Sequence, residues 1–226
     1  AFPYFELFVD TDKTQLTPGT SGVLFVRVVR KNGFTGAVQL SIDGLPANVT
    51  AECGRILAEK GTDGCIVVTA SSDATAAMAN IIVSGSGTIE DGDTERVYAT
   101  IAQPYQETYQ PGGGRGHFPA SMHTISVAEL NDIRSVELSE YDIILRPGES
   151  KKIDVTLSRA SGFDKNVSLD VIYKHLNSVY GNSLPEGVTL DAGASKILLT
   201  KGASQGHIVL KAESTAKAVE KQQISV

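Results

Sequence analysis

Tryptophan is missing from this 226-residue chain, and aromatic residues together make up only 6% of it. Proteins that bind sugars on their surface usually rely on flat aromatic side chains, so this shortage argues against a glycan-binding platform. A basic excess is missing too: the formal net charge is −6, whereas a nucleic-acid partner demands a basic face. No run approaches the roughly 18 apolar residues of a membrane helix, so we expect no membrane insertion.

Groups that carry chemistry are also scarce. There is no Gly-x-Ser-x-Gly nucleophile elbow, and the histidines are His117, His123, His175 and His207. The glycine run before Arg115 lacks the Lys-Ser/Thr pair and the helix of a phosphate-binding loop, and indicates a turned or flexible linker. We therefore predict that the chain is not an enzyme and holds no cofactor. A transition-metal site built from the first three histidines is weaker than the alternative of three unrelated side chains.

What is present favours strands. A hydrophobic content of 41% supports packed cores. The 22 glycines, with many Thr, Ser and Val residues, are typical of short strands joined by tight turns. Such segments recur at a spacing of roughly 8–12 residues, separated by Gly, Pro, Asn and Asp, which predicts an all-β fold of antiparallel sandwiches.

The strongest signal is an internal repeat. Pro18-Gly19 recurs as Pro147-Gly148, 129 positions later, and Arg30 recurs as Arg159 at the same offset. Apolar residues at every second position, which indicate strands with one buried face, recur with them. Leu24, Val26 and Val28 correspond to Ile153, Val155 and Leu157, and Val38, Leu40 and Ile42 correspond to Val167, Leu169 and Val171. The shared parity predicts that the same face is buried in both copies.

Later landmarks drift apart. Leu45-Pro46 corresponds to Leu184-Pro185 at an offset of 139, so the second copy carries ten extra residues (139 − 129), roughly 174–183. Gly64-Cys65 corresponds to Gly206-His207 at an offset of 142, which places His207 at the strand position of Cys65.

The repeat predicts two domains. Their boundaries are 1–102 for the first domain, 103–123 for a Gly/Pro-rich linker, and 124–226 for the second domain. Ile224 and Val226 match Ile81 and Val83, so the second copy lacks a counterpart of the last strand of the first copy. Either the natural chain continues, which we favour, or an edge is left open for a neighbour to pair with. The start at Ala1, without methionine, likewise suggests a piece of a larger protein.

Two cysteines, Cys53 and Cys65, flank the turn Gly61-Thr62-Asp63-Gly64. A hairpin of this length brings two Cβ atoms within bridging distance, so we predict a disulfide. The alternative is a pair of reduced, buried cysteines.

Two acidic pairs, Asp10 with Asp12 and Asp91 with Asp93, have the Asp-x-Asp spacing that Ca²⁺ sites use. Neither pair continues into an EF-hand loop. A polar strand end and a hairpin turn are the simpler interpretation, so the four residues are weak calcium candidates and no metal is predicted.

The insertion at 174–183 is the most distinctive feature outside the repeat. Sandwich loops often carry binding residues, and His175, Asn177 and Tyr180 suit a sugar or a protein partner, with Arg115 as a further contact. The competing interpretation, which we favour, is that the insertion packs on the linker and sets the angle between the domains.

The order of motifs in the first copy is Pro18-Gly19, Arg30, Asn32 to Gly36, Val38 to Leu40 and Gly44 to Thr50. This order resembles the bacterial immunoglobulin-like repeats of large exported proteins. The second copy departs from it in two places: Lys165 replaces the second glycine, and the insertion interrupts the step before Leu184-Pro185.

The resemblance implies two tandem immunoglobulin-like antiparallel β-sandwich domains in an exported protein, whether periplasmic, cell-surface or secreted. It implies a non-catalytic structural or presentation module whose partners are neighbouring domains of the same protein. The alternative function is a binding module for a cell-surface glycan or protein, using the linker and the insertion, because repeats of this kind specify fold better than function.

Overall fold

A computed structural model describes residues 3–91, 94–109, 112–128, 132–175 and 178–226. Within these ranges the chain forms strands and no helix, which confirms the predicted all-β class. No described helix is therefore long and apolar enough to cross a membrane. The strands, numbered in chain order, are β1 (Phe5–Val9), β2 (Lys13–Leu16), β3 (Ser21–Arg30), β4 (Val38–Asp43), β5 (Val49–Cys53), β6 (Arg55–Ile56), β7 (Asp63–Ala70), β8 (Ala77–Asp91), β9 (Thr94–Tyr109), β10 (Arg115–Pro119), β11 (His123–Val127), β12 (Ile133–Leu138), β13 (Ser150–Arg159), β14 (Val167–Ser168), β15 (Tyr173–His175), β16 (Ser178–Gly181), β17 (Val188–Leu190), β18 (Leu198–Leu199) and β19 (Gln205–Ala212).

The first eleven strands pair into one continuous sheet. Its main order is β2-β11-β8-β9-β1-β3-β7-β5, with β4 on β8, β6 on β4 and β10 on β9. β9 joins the two halves, because it is antiparallel to β8 and parallel to β1. Side chains from both halves meet in one hydrophobic cluster, called here the first core, whose buried members include Phe5, Leu24 and Ile125.

Strands β12 to β19 surround a separate cluster, called here the second core, which includes Ile153, Leu199 and Ile208. They form a four-stranded sheet in the order β12-β13-β19-β17 and two short pairs, β14-β18 and β15-β16.

The strand registers are equivalent in the two copies. On β3 and β7 Leu24 lies opposite Ile66, and on β13 and β19 Ile153 lies opposite Ile208, the same pair in the second copy. None of these four side chains is more than 1% exposed. The predicted burial of the same face in both copies is therefore correct.

The repeated arginine has the same structural role in both copies, together with a phenylalanine that recurs at the same offset, Phe34 and Phe163. Arg30 donates to the carbonyl oxygens of Gly36 at 2.5 Å and Leu57 at 2.7 Å, and its guanidinium lies 5.4 Å from the centre of the Phe34 ring. Arg159 repeats the arrangement 5.5 Å from Phe163. Each arginine thus closes one end of its core by satisfying carbonyl groups that no strand pairs.

Substituting Arg30 by lysine is expected to lower the free energy of unfolding of the first core by about 2 kcal/mol, because a single ammonium replaces the forked guanidinium. Arg159→Lys should lower the stability of the second core instead. Urea unfolding followed by NMR signals of each core measures both. A change of less than about 0.5 kcal/mol in the first core, within the range of an ordinary surface substitution, would contradict the role assigned to Arg30.

Most of the described residues of the segment predicted to be a linker, 103–123, instead belong to strands. β9 continues to Tyr109 and the chain returns as β10. The strand persists because β1 supplies a parallel partner for Ala102–Pro104 and β10 an antiparallel partner beyond it. Neither partner is visible in the local pattern of glycines and prolines, so sequence periodicity missed the hairpin.

β11 also lies on the other side of the predicted boundary. It pairs with β8 and β2 of the first sheet, and it buries His123, Ile125 and Val127, each at most 3% exposed, in that half of the molecule. The first core is thus completed by a strand that the domain prediction had assigned to the second copy.

The predicted disulfide is not formed: Cys53 and Cys65 are both free thiols. Cys53 on β5 lies opposite Ile66 on β7. Because successive residues of a strand point to opposite faces, Cys65 points away from the face that carries Cys53. Cys53 packs against the first core, whereas the Cys65 Sγ contacts the carbonyl oxygen of Gln223 at 3.4 Å, outside that core.

A reducing agent is therefore expected to leave the thermal unfolding temperature unchanged. A disulfide closing so short a loop would contribute about 3 kcal/mol, so its reduction would lower the Tm by several degrees. Titration of the unfolded, unreduced chain with a thiol reagent should detect both cysteines. A Tm that falls on reduction, or fewer than two titrated thiols, would restore the disulfide.

Candidate functional site

The β9–β10 hairpin, the insertion and the first sheet meet at an open cleft. Its volume is about 500 Å³, and its lining is Asp10, Arg27, Arg115, His117, Val179 and Tyr180. The structure thus brings together Arg115 and Tyr180, the two predicted partner-contact residues whose side chains it describes. It forms the insertion as a hairpin of β15 and β16, which carries Tyr180 to the cleft.

Glu107 is the centre of the polar contacts. Its carboxylate lies 3.5 Å from Nη1 of Arg115 and 3.5 Å from Nε2 of His117, which is directly opposite it on β10. Burial alone would raise the pKa of Glu107, but hydrogen bonds from the hydroxyls of Tyr180 and Tyr109 and the nearby positive charges bring it below its ordinary value. Glu107 is therefore a carboxylate that ties the hairpin to the insertion.

Tyr180 links the two hairpins. Its hydroxyl accepts a hydrogen bond from Arg115, and its ring lies 5.6 Å from that of His117 and 5.4 Å from that of Tyr173. Burial, followed by the neighbouring Glu107, raises the pKa of Tyr180, so its hydroxyl keeps its proton.

The opposite wall of the cleft is an ion pair. Arg27 Nη2 lies 3.4 Å from Oδ1 of Asp10, and the guanidinium lies 5.2 Å from the centre of the Phe8 ring. Tyr105 of β9 packs against the same ring at 5.8 Å. Asp10, one of the calcium candidates, therefore already has a cation partner.

Below the cleft the contact becomes apolar. The rings of Phe25 and Tyr173 are stacked, 6.3 Å apart and 8° from parallel. The backbone of Gly181 lies directly on the Phe25 ring, and a Cβ at this position would overlap it. The insertion thus requires a glycine to reach the outer face of β3.

The C-terminal segment covers the rest of this outer face. Gln222 donates to the Ser183 carbonyl oxygen at 2.9 Å, and Arg55 donates to the Lys221 carbonyl oxygen at 2.9 Å. Cys65 lies beneath this segment and is completely buried. Burial raises the pKa of its thiol to about 11, so Cys65 is an unreactive thiol while the segment stays in place.

The two copies differ on this face. The register places Asp154 and His207 of the second copy where the first has Phe25 and Cys65. In the first copy these two positions hold apolar residues, which the second copy covers. In the second copy the same two positions hold polar residues. The contact between the copies is therefore not repeated on the far side of the second core.

The other predicted site residues lie elsewhere. Asp12 precedes β2, outside the lining of the cleft. Asp93 and Asn177 lie outside the described residues, as do the side chains of Asp91 and His175. Within the described part of the chain, no group of three His, Cys, Asp or Glu side chains could hold a metal ion. That the four acidic residues bind no metal stays a prediction.

The contact between the two copies, called here the junction, comprises the cleft, the Phe25–Gly181 contact and the cover over Cys65. Several of its residues were not predicted from the sequence. Glu107 and His117 lie in the segment interpreted as a linker, and Phe25 and Arg27 lie on the outward-facing positions of β3. A large aromatic residue at an outward position of an otherwise alternating strand was the one available signal. Its partner, Gly181, gives no such signal.

No protein-family model matches the sequence, and no curated protein matches it significantly. Similar solved structures include a protein of unknown function from Porphyromonas gingivalis W83, 13% identical, with 91% of this chain and 83% of that chain covered and a TM-score of 0.30. Domains 4–9 of the surface layer protein SbsC are 12% identical, with 96% and 28% covered and a TM-score of 0.32. The D0-D1 domain of intimin is 10% identical, with 97% and 94% covered and a TM-score of 0.29. We draw no functional argument from similarities of this size.

Proposed function

We propose that this chain is a non-catalytic structural module of a larger exported bacterial protein. In this proposal two immunoglobulin-like sandwiches are held at a fixed angle, so that they space or present neighbouring domains on the cell surface. The observation that supports it is the junction, where the insertion and the C-terminal segment of the second copy both cover the outer face of the first.

The character of the junction favours a permanent contact. Its centre holds the fully buried Cys65 and the nearly buried Ser183, which is 1% exposed. Around this centre lie exposed ion pairs, Lys60 with Glu186 at 2.6 Å and Lys217 with Glu59 at 2.9 Å. Exposed pairs contribute little stability each, so the buried centre and the stacked rings supply the rigidity.

The charged groups of the cleft face one another as ion pairs. Glu107 is held by Arg115, and Asp10 is held by Arg27. Groups arranged in this way fix the geometry of three chain segments without needing a substrate, which supports a mechanical role over a catalytic one.

Residual dipolar couplings of the whole chain test the proposal. A fixed angle predicts that one alignment tensor fits the amide couplings of both cores. Separate tensors for the two cores would contradict a rigid module. The Gly181→Val chain, in which the contact with Phe25 is weakened, should fit a single alignment tensor less well.

A second candidate function is binding of a glycan or protein at the cleft. The observation that favours it is the open position of His117 and Arg27, whose side chains are 35% and 42% exposed. Titration with soluble polysaccharides, followed by amide shifts of β10 and β16, tests it. Shifts that His117→Ala abolishes would support binding, and an unchanged spectrum across the panel would reject glycans.

A further inference from the structure

The first core shows how a complete copy is built. β4 pairs with β8 along five residues, Gln39 to Asp43. β8 pairs in turn with β11, and β11 runs parallel to β2. The neighbours on this side of the first core are therefore β4, β8, β11 and β2, in that order.

The second copy contains segments equivalent to the outer two strands, β4 and β2, but none of its described residues forms a strand equivalent to β8 or β11. The residues equivalent to β4 are 167–172, of which only Val167–Ser168 form a strand, paired with β18. Leu169 and Val171 still face the core, at 5% and 1% exposure. Among the described residues, none pairs with the other edge of 168–172.

Two backbone N–H groups of this segment are hydrogen-bonded locally instead. Oδ1 of Asp170 accepts hydrogen bonds from the N–H groups of Val171 at 2.8 Å and Ile172 at 3.2 Å. Side chains of this kind offer the backbone a substitute for a ladder partner. In the first copy the equivalent segment is the strand β4, which β8 pairs with. In the second copy residues 169–172 form no strand.

The segment equivalent to β2 shows the same loss. Residues 142–145 form no strand, and Ile144 is 77% exposed. On β12, Val136 is 41% exposed, whereas its equivalent on β1, Leu7, is 1% exposed. Three separate places on one side of the second core therefore lack the cover that β8, β9 and β11 give the first core.

We propose that the second core is an acceptor for further β-strands. One strand lies antiparallel to 168–172, as β8 does to β4, and another lies parallel to 142–145, as β11 does to β2. They come from sequence downstream of β19 in the same polypeptide, because the first core takes β8, β9 and β11 from sequence downstream of β7.

The contact of Ile224 and Val226 with the second core supports this source. Ile224 and Val226 pack against the second core, at the repeat positions of Ile81 and Val83 of β8. They form no strand and are only partly buried, whereas Ile81 and Val83 are 5% and 4% exposed. The segment therefore contacts the second core without forming a strand.

The first copy also defines the chemistry of the incoming strand. A Cβ at Gly85 would lie 2.7 Å from Leu7 and 2.8 Å from Val38, so β8 needs a glycine where it crosses the core. The equivalent neighbours, Val136 and Val167, are present in the second copy. The accepted strand therefore has apolar residues at alternate positions and a very small residue opposite Leu169.

The test is a chain extended after Val226 by a copy of residues 84–127, which places Ile224 and Val226 where Ile81 and Val83 stand in β8. Hydrogen exchange of the amides of 169–172 is the readout. We expect exchange to slow by about 100-fold or more, toward the rates of 40–43 in the same molecule. A matched extension with Ile89→Asp and Ile125→Asp should give no protection.

A synthetic peptide copying Met78–Ile89, added to the unextended chain, distinguishes a strand of the same polypeptide from a strand of a partner chain. Protection by the extension supports the proposal. Protection by the peptide alone would overturn the intramolecular source and indicate a strand from a partner chain. Failure of both to protect 169–172 would overturn the acceptor itself.

Discussion

Replacing Gly181 by valine is expected to separate the second core from the first and to make the Cys65 thiol reactive. The valine side chain cannot share space with the Phe25 ring, and overpacking of this kind costs about 1–3 kcal/mol. At that cost the open state becomes roughly 5- to 150-fold more populated. The rate at which a thiol reagent labels Cys65 should rise by the same factor.

The measurement is cleanest in a Cys53→Ala background, where Cys65 is the one thiol. Gly193→Ala is the matched control, because the added Cβ meets only the Asp191 Oδ1 atom at 3.5 Å. This control should leave the labelling rate unchanged. Unchanged labelling of Gly181→Val would show that the insertion does not hold the C-terminal segment over Cys65.

His123 is expected to make the first core less stable in acid. The side chain is 3% exposed on β11, and Nε2 lies 3.1 Å from Oγ1 of Thr14. Its Nδ1 is buried with no hydrogen-bond partner among the described residues. Burial lowers the pKa of His123 to about 4, and the nearby Asp12 only partly opposes this.

The sign follows from proton binding. Between pH 6.5, the ordinary histidine pKa, and about pH 4, His123 binds a proton in the unfolded chain but not in the folded chain. The stability is therefore complete above pH 6.5 and falls as the pH is lowered toward 4. The loss is about 2 kcal/mol between pH 7.5 and pH 5, and about 3 kcal/mol by pH 4.

Urea unfolding at several pH values, followed by NMR signals of the first core, measures this loss. His123→Gln keeps a neutral polar group and should flatten the pH dependence between pH 7 and 5. His207→Gln, which changes a histidine of β19 outside the first core, should leave the pH dependence of the first core as it was. An equal slope in wild type and His123→Gln would assign the acid sensitivity to other groups.

Much of the fold was predictable because it depends on local pattern. The alternation of Leu24, Val26 and Val28 specifies which side of β3 is buried, and the repeat transfers that parity to β13. The Asn32-Gly33 step of the repeated motif is a turn, in which Gly33 takes a positive φ of 76°.

The candidate site was predictable only in outline. Arg115 and Tyr180 were singled out by their positions in the predicted linker and insertion, and the structure joins them through a hydrogen bond. Glu107, which holds both hairpins, was missed because the register that sets it opposite His117 depends on β10. Register is a property of two strands together, and a single segment does not contain it.

The sequence by itself determined the strand content, the duplication and the inward face of each strand, since all three follow from residue period and spacing. Only the tertiary structure decided which strands become neighbours. It set Cys53 and Cys65 on opposite faces, turned the expected linker into β9 and β10, and gave β11 to the first core. The physical reason is that strands pair through backbone groups that lie far apart in the chain. The side-chain pattern of one strand does not specify which other strand pairs with it.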